Sequence, residues 1–224
     1  PCWTHCGWPS QPASAPQLAT TMQFARPHHQ RIAHVLSALD GAALRQHGCL
    51  FGGGTCIALR YGENRESVAL HFLVSDATGY RELRQLLSTP AGLAPITLEL
   101  PRADETTSDT IHNALCGVST LTRLDLATSK LLANSDRQAD DGVFSRDVTD
   151  LAMISLPLPA LRAALVKAEQ AYGASVARDL GKAIDRLQNR QGWLERCMQV
   201  MAMQLPKAVL WQKVRALRRI VPES

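Results

Sequence analysis

A short apolar run that ends in three consecutive glycines limits what this chain can fold into more than any other stretch. Cys49-Leu50-Phe51 is followed by Gly52-Gly53-Gly54-Thr55 and then by a mostly apolar segment up to Tyr61. A brief apolar run closed by glycines reads as a buried strand, and Thr55 to Tyr61 reads as a helix. Strand, glycine turn and helix together make a phosphate cradle in several folds. Glycines let the backbone approach the phosphates, and the helix N-terminus offers N–H donors and the positive end of its dipole. Thr55 adds a hydroxyl that could reach a phosphate oxygen. The plainer alternative is a turn with no ligand, since neither a Walker GK[ST] nor a GxGxxG pattern follows.

Around this cradle the periodicity predicts a small α/β half followed by a helical half, an α/β (α+β) fold class overall. Pro27 to Gln46 reads as one helix, with Ile32, Val35, Leu36 and Leu39 at three- and four-residue spacing and Gly48 as its stop. Val68 to Val74 reads as a second strand, Tyr80 to Leu87 as a short helix and Ile96 to Leu100 as a third strand. Residues 101–113 are polar and acidic and read as a loop. Beyond Leu121 helix dominates, broken by Pro157, Pro159 and Pro206. Its clearest segments are Asp147 to Ile154, Leu161 to Tyr172, Ser175 to Gln188 and Pro206 to Val221. The last carries a stripe of Leu210, Val214, Leu217 and Val221. Three units are expected: residues 1–21, proline-rich, as a flexible leader or added segment ahead of Met22; residues 22–120 as the α/β domain; and residues 121–224 as a helical domain that completes the site.

Composition narrows the setting. Hydrophobic residues make up 46% of the chain, enough for a sizeable core, and aromatic residues only 5%, so that core should be aliphatic. The net charge of +4 is modest. Its distribution is uneven: Lys207, Lys213, Arg215, Arg218 and Arg219 face only Glu223 near the C-terminus. That helix either meets phosphates or is simply a solvated face. The six cysteines are scattered with no CxxC pair, which points to reduced thiols and a cytoplasmic protein. Cys2, His5 and Cys6 lie close together, but no second ligand pair sits at zinc-site spacing. There is no apolar run of about twenty residues, so no membrane association is expected, and no signal-peptide pattern.

Further motifs follow the cradle in order. Arg65-Glu66-Ser67 precedes Val68-Ala69-Leu70-His71-Phe72. Ser129-Lys130-Leu131-Leu132-Ala133-Asn134-Ser135-Asp136-Arg137 and Ser145-Arg146-Asp147-Val148-Thr149-Asp150-Leu151 come later. Together with Gly53-Gly54-Thr55 this order resembles the AbiEii/AbiGii family of nucleotidyltransferase-fold toxins. That family carries a GG[ST] turn, a helix, Arg-x-Ser, a strand with Asp-x-Asp, a lysine-bearing helix and a [KR]DxxDL motif. The resemblance covers roughly Gly48 to Asp76 and Leu121 to Met153. It implies a nucleotidyltransferase-fold sheet with a mostly helical second half, from a bacterial toxin–antitoxin or phage-defence system. It implies transfer of a nucleotide from an NTP, with Mg²⁺, to an acceptor such as tRNA or a protein side chain, and a cognate antitoxin as partner. Carried over residue by residue, Lys130 and Asp147 would be catalytic. Gly53, Gly54, Thr55, Arg65, Ser67 and Arg137 would bind the nucleotide, with Asp150 in support. The plainer readings make Lys130 a surface lysine, and Asp147 a helix cap with Asp150 in the first turn.

One departure bears on chemistry. In the family's register the two metal aspartates fall on Ala69 and His71, and Glu99 is the candidate for a third carboxylate. Alanine has no ligand atom, and histidine suits Mg²⁺ poorly because hard cations prefer oxygen. The expected enzyme is therefore impaired or inactive. The intact Arg65-Glu66-Ser67 fits a single engineered change at Ala69, whereas His71 and the short middle segment fit natural divergence. Two alternatives stand beside the enzyme: a catalytically dead protein that binds a nucleotide or a partner, and a basic RNA-binding module that uses the C-terminal helix. His71 also reads as a core histidine. His28, His29, Trp193 and Trp211 read as packing or surface residues, and Met198, Met201 and Met203 as core.

Overall fold

Pro27 opens helix α1 (Pro27–Ser37), at a position where its missing N–H would have had no partner. The helix ends at Ser37 and does not run on to Gln46. Asp40 starts a new helix, α2 (Gly41–Gln46), by accepting the N–H groups of Ala42 at 2.9 Å and Ala43 at 3.1 Å. A capping carboxylate offers the backbone an alternative to continuing the earlier helix. Gly41 seats α2 on a neighbouring turn, since a Cβ there would lie 2.0 Å from the Gly117 carbonyl oxygen. The computed structural model describes residues 24–98 and 114–222, together with the backbone of Ser108 and Asp109.

Strand β1 (Cys49–Gly52) pairs antiparallel with β2 (His71–Val74), with Phe51 opposite Phe72. The expected strand at Val68 thus begins three residues late. Residues 68–70 lie outside the ladder, and the Thr55 hydroxyl donates to the Ala69 carbonyl at 2.6 Å. Between the strands runs helix α3 (Gly53–Arg60). After β2 comes α4 (Ala77–Leu87), capped by Asp76, which accepts the Gly79 N–H at 2.7 Å. The third strand expected at Ile96 to Leu100 is not formed over its described residues. A 3₁₀ turn (Ala94–Ile96) and a single bridge from Thr97 to Leu39 stand there, because the backbone pairs with the α1–α2 junction: the Asp40 N–H donates to the Ile96 carbonyl at 2.7 Å and the Leu98 N–H to the Ala38 carbonyl at 2.8 Å. Residues 99 and 100 lie outside the described residues. On its far side β1 meets Thr120 through one parallel bridge, and the Leu121 N–H donates to the Phe51 carbonyl at 3.0 Å. This joins it to a small antiparallel meander, β3 (Ser108–Asp109), β4 (Ala114–Leu115) and β5 (Val118–Ser119), where part of a loop was expected.

The helical half consists of α5 (Arg123–Arg137), α6 (Arg146–Ile154), α7 (Leu158–Tyr172), α8 (Ser175–Asn189), α9 (Trp193–Val200) and α10 (Lys207–Ala216). The last continues as a 3₁₀ turn, Leu217–Ile220. Pro157 precedes α7 and Pro159 sits in its first turn, where proline is tolerated. The expected stripe is real: Leu210, Val214 and Leu217 are buried and Val221 packs partly buried beside them. One aliphatic core runs from Phe24 through Phe51, Leu126 and Leu151 to Ile220, without a break at Leu121. It packs α5 and α6 against α3 and thereby sets the helical half over the glycine turn. The mixed α/β class expected from the sequence is the class observed. No helix among the described residues is long and apolar enough to cross a membrane.

Candidate functional site

The glycine turn, the 65–69 segment, β2 and α5 enclose a cleft of about 680 Å³. Gly53 and Gly54 bring the start of α3 to its wall, and Arg65, Lys130, Arg137 and Arg146 line it as well. Gly53 has φ +73°, and a Cβ on it would press on the His71 side chain at 3.2 Å. Glycine holds this left-handed conformation at no steric cost. Gly54 is needed for a different reason. A Cβ there would fall 2.1 Å from an Arg65 guanidinium nitrogen and 3.0 Å from Asp150 Oδ2.

Beneath the cleft four of the sequence-predicted residues form one chain of charges with Asp150, buried except at its Arg137 end. Arg65 donates from Nε to Asp150 Oδ1 at 2.6 Å and from its terminal nitrogen to Oδ2 at 2.9 Å. Lys130 Nζ lies 2.7 Å from Asp150 Oδ2 and 3.0 Å from Asp147 Oδ1. Arg137 reaches Asp147 Oδ2 at 2.8 Å. The plainer readings of these residues fail. Lys130 is buried, and the Asp147 and Asp150 carboxylates face cations instead of capping α6. Burial by itself would raise the Asp150 pKa; Lys130 and Arg65 outweigh it and hold the carboxyl below its ordinary range.

The remaining sequence candidates fall as follows. Thr55 is fully buried, with its hydroxyl 2.7 Å from Ser67 Oγ and bonded to the Ala69 carbonyl, so it fixes the cleft wall and does not face the cleft. Ser67, Ala69 and His71 line the cleft. His71 is exposed there, which corrects its reading as a core histidine. Glu99, Cys2, His5 and Cys6 lie outside the described residues. The described cysteines are free and buried. Burial pushes the thiol of Cys56 up to about 12 and those of Cys116 and Cys197 to about 11, so they are poor nucleophiles. In the basic C-terminal segment, Lys207 pairs with Glu195, Lys213 donates to Ser155 Oγ at 2.6 Å and Arg218 pairs with Asp185 at 2.7 Å. Trp211, Met198 and Met203 pack partly buried on the core and Met201 is buried in it, as expected.

Several residues that shape the site were not assigned a role from sequence. His29 is fully buried, with Nδ1 2.7 Å from Glu63 Oε1, and its Nε2 accepts the Ser67 N–H at 3.2 Å. A backbone N–H can only donate, so Nε2 is unprotonated and the proton sits on Nδ1. His29 therefore ties the cleft wall at Ser67 to α1. Its partners are 34 and 38 residues away in sequence, so no local pattern could have revealed this. His29→Phe keeps an aromatic ring but orphans the Ser67 N–H and leaves Glu63 Oε1 with the Arg26 N–H as its remaining donor. We expect a loss of about 2 kcal/mol in a urea melt; an unchanged midpoint would refute the tether. Trp193 is the second missed residue. Its indole N–H donates to Ser145 Oγ at 3.0 Å and its ring stacks on Phe144 at 6.0 Å. Phe144 and Ser145 have φ of 52° and 51°, a conformation non-glycine residues adopt only when surroundings enforce it. Trp193 thus pins the turn that aims Arg146 and Asp147.

The donor set of this cleft does not suit Mg²⁺. Among the described residues Glu66 is the only carboxylate on its wall, Ala69 and His71 beside it offer no oxygen ligand, and Asp147 and Asp150 are taken by cations. The arrangement is instead that of an anion site: a helix start, four cationic side chains and a backbone brought close by glycine. No protein-family model, curated protein or solved structure matches the chain.

Proposed function

We propose that this chain is a nucleotidyltransferase-like protein of the AbiEii/AbiGii type that holds the triphosphate of an NTP in the cationic cleft and, with Ala69 and His71 at the metal positions, transfers nucleotide poorly or not at all. The observation that carries the reading is the convergence of Gly53, Gly54, Arg65, Lys130 and Arg137 on one cleft from segments far apart in sequence. In this reading the helix start and Lys130 hold phosphate oxygens. Asp147 and Asp150 orient Lys130 and Arg65 from beneath, and Arg137 closes one side. A cognate antitoxin and a tRNA acceptor belong to the same reading through the family resemblance. The catalytically dead binding protein is the second reading, favoured by the pairing of Ala69 with His71 on the cleft wall.

The two readings separate in one experiment. Both side chains already face the cleft, so an Ala69→Asp/His71→Asp protein would place two carboxylates there. We expect the unchanged protein to transfer no label from any of the four NTPs to total tRNA in Mg²⁺, and the double variant to transfer it. Nucleotide binding without transfer by the double variant would favour the dead binding protein. Absence of both binding and transfer would sink the nucleotide reading.

A further inference from the structure

We propose that the cleft binds its polyphosphate anion without a divalent cation, and that Arg146 is the residue that supplies the missing positive charge. The inference rests on the nucleotide reading above and adds the ionic form of the ligand and the residue that recognises it.

Arg146 differs from the other cations of the cleft. Arg65, Lys130 and Arg137 are each bound to a carboxylate. Arg146 lines the same cleft, half-buried at the first turn of α6, and has no hydrogen-bonding or ionic partner among the described residues. A guanidinium held at a cleft wall by a pinned backbone, with its donors uncommitted, is arranged for a ligand oxygen. The Trp193–Ser145 bond and the Phe144–Trp193 stack fix the turn just before it.

The charge balance agrees. Four cationic side chains, Arg65, Lys130, Arg137 and Arg146, stand against three carboxylates, Asp147, Asp150 and Glu66. A surplus of positive charge remains before His28 or His71 is counted. A metal-dependent site has the opposite balance, with carboxylates that bind the cation carried by the anion. Here Mg²⁺ on the phosphates would meet Glu66 as the one wall carboxylate among the described residues, and it would weaken the pull of the four cations. The uncomplexed anion is the better match.

Titration calorimetry of the full chain with inorganic tripolyphosphate and with ATP tests this, each in EDTA and in excess Mg²⁺. We expect binding in EDTA at least as tight as in Mg²⁺. We also expect Arg146→Gln to weaken it by about tenfold or more, the scale of one charge-assisted hydrogen bond. The melting temperature should change little, because the Arg146 side chain makes no hydrogen bond or ion pair among the described residues. Should Arg146→Gln fold poorly, Arg146→Lys keeps the charge, and a smaller loss is expected. Binding that requires Mg²⁺ would overturn this inference and leave the nucleotide reading intact. Binding of neither anion in either condition would overturn both. Equal affinity in Arg146→Gln would remove Arg146 from the site.

Discussion

Asp150→Ala is expected to cost about 3–5 kcal/mol, the scale measured when one partner of a buried ion pair is removed. Asp150 is fully buried and, among the described residues, is the one carboxylate that joins Arg65 to Lys130. Without it two cations remain buried near each other, with Asp147 left to one of them. Against a total stability of about 5–15 kcal/mol for a typical domain, that loss brings the protein close to unfolding at room temperature. Urea denaturation checks it; a loss under about 1 kcal/mol would show that water or rearrangement replaces Asp150. Arg137→Ala is the control. Its side chain is 42% exposed, so its bond to Asp147 is screened and should be worth under about 1 kcal/mol. Asp150 also gives a pH dependence of known sign. Its folded-state pKa lies below the ordinary carboxylate value, so its contribution is present above about pH 4 and is lost as pH falls through the folded value. Asp150→Asn should flatten that acid limb.

Gly54→Ala sets two physical effects against each other. In a helix interior alanine is favoured over glycine by about 1 kcal/mol, and Gly54, the second residue of α3, would gain at most that. Packing points the other way. The new methyl would stand 2.1 Å from the Arg65 guanidinium. Arg65 has little freedom to retreat, because two of its nitrogens are bonded to Asp150 and a third donates to the Glu66 carbonyl at 2.8 Å. Either the helix start shifts or the paired bonds to Asp150 break, and the net cost should be about 2–3 kcal/mol. Anion affinity should fall with it, since the same shift moves the cleft wall. Gly62→Ala is the contrast. It has φ +83° with nothing within 4 Å of the added methyl, so only backbone strain of about 1–2 kcal/mol is expected and the cleft is left alone. If Gly54→Ala proves stabilising, the guanidinium does not sit where its bonds to Asp150 place it.

The mixed α/β class and most of the helical half could be read from the chain, because local apolar periodicity encodes helix faces directly. Ser175 to Gln188 and the Leu210, Val214, Leu217 stripe are examples. The strand–glycine–helix unit was also legible, since three glycines after an apolar run leave few options. Where a residue answers to distant partners, local pattern misled. Asp40 divided an apparently continuous helix by capping α2, and the stretch expected as a third strand makes its backbone bonds with the α1–α2 junction some 58 residues earlier.

The sequence by itself determined the inventory of the cleft: its glycines, its basic residues, and alanine and histidine at positions 69 and 71. Only the tertiary structure decided which of those groups are spoken for. Asp147 and Asp150 are neighbours of Lys130 and Arg65 because α5 and α6 pack on α3, contacts that span 17 and 85 residues of chain. The same packing buried Thr55 and His29 as struts of the wall and left His71 and Arg146 facing the cleft. A side chain's charge and shape are fixed by its identity. Whether its donors are satisfied or free depends on what the fold brings within about 3 Å of it, and that distance is set by contacts far apart in sequence.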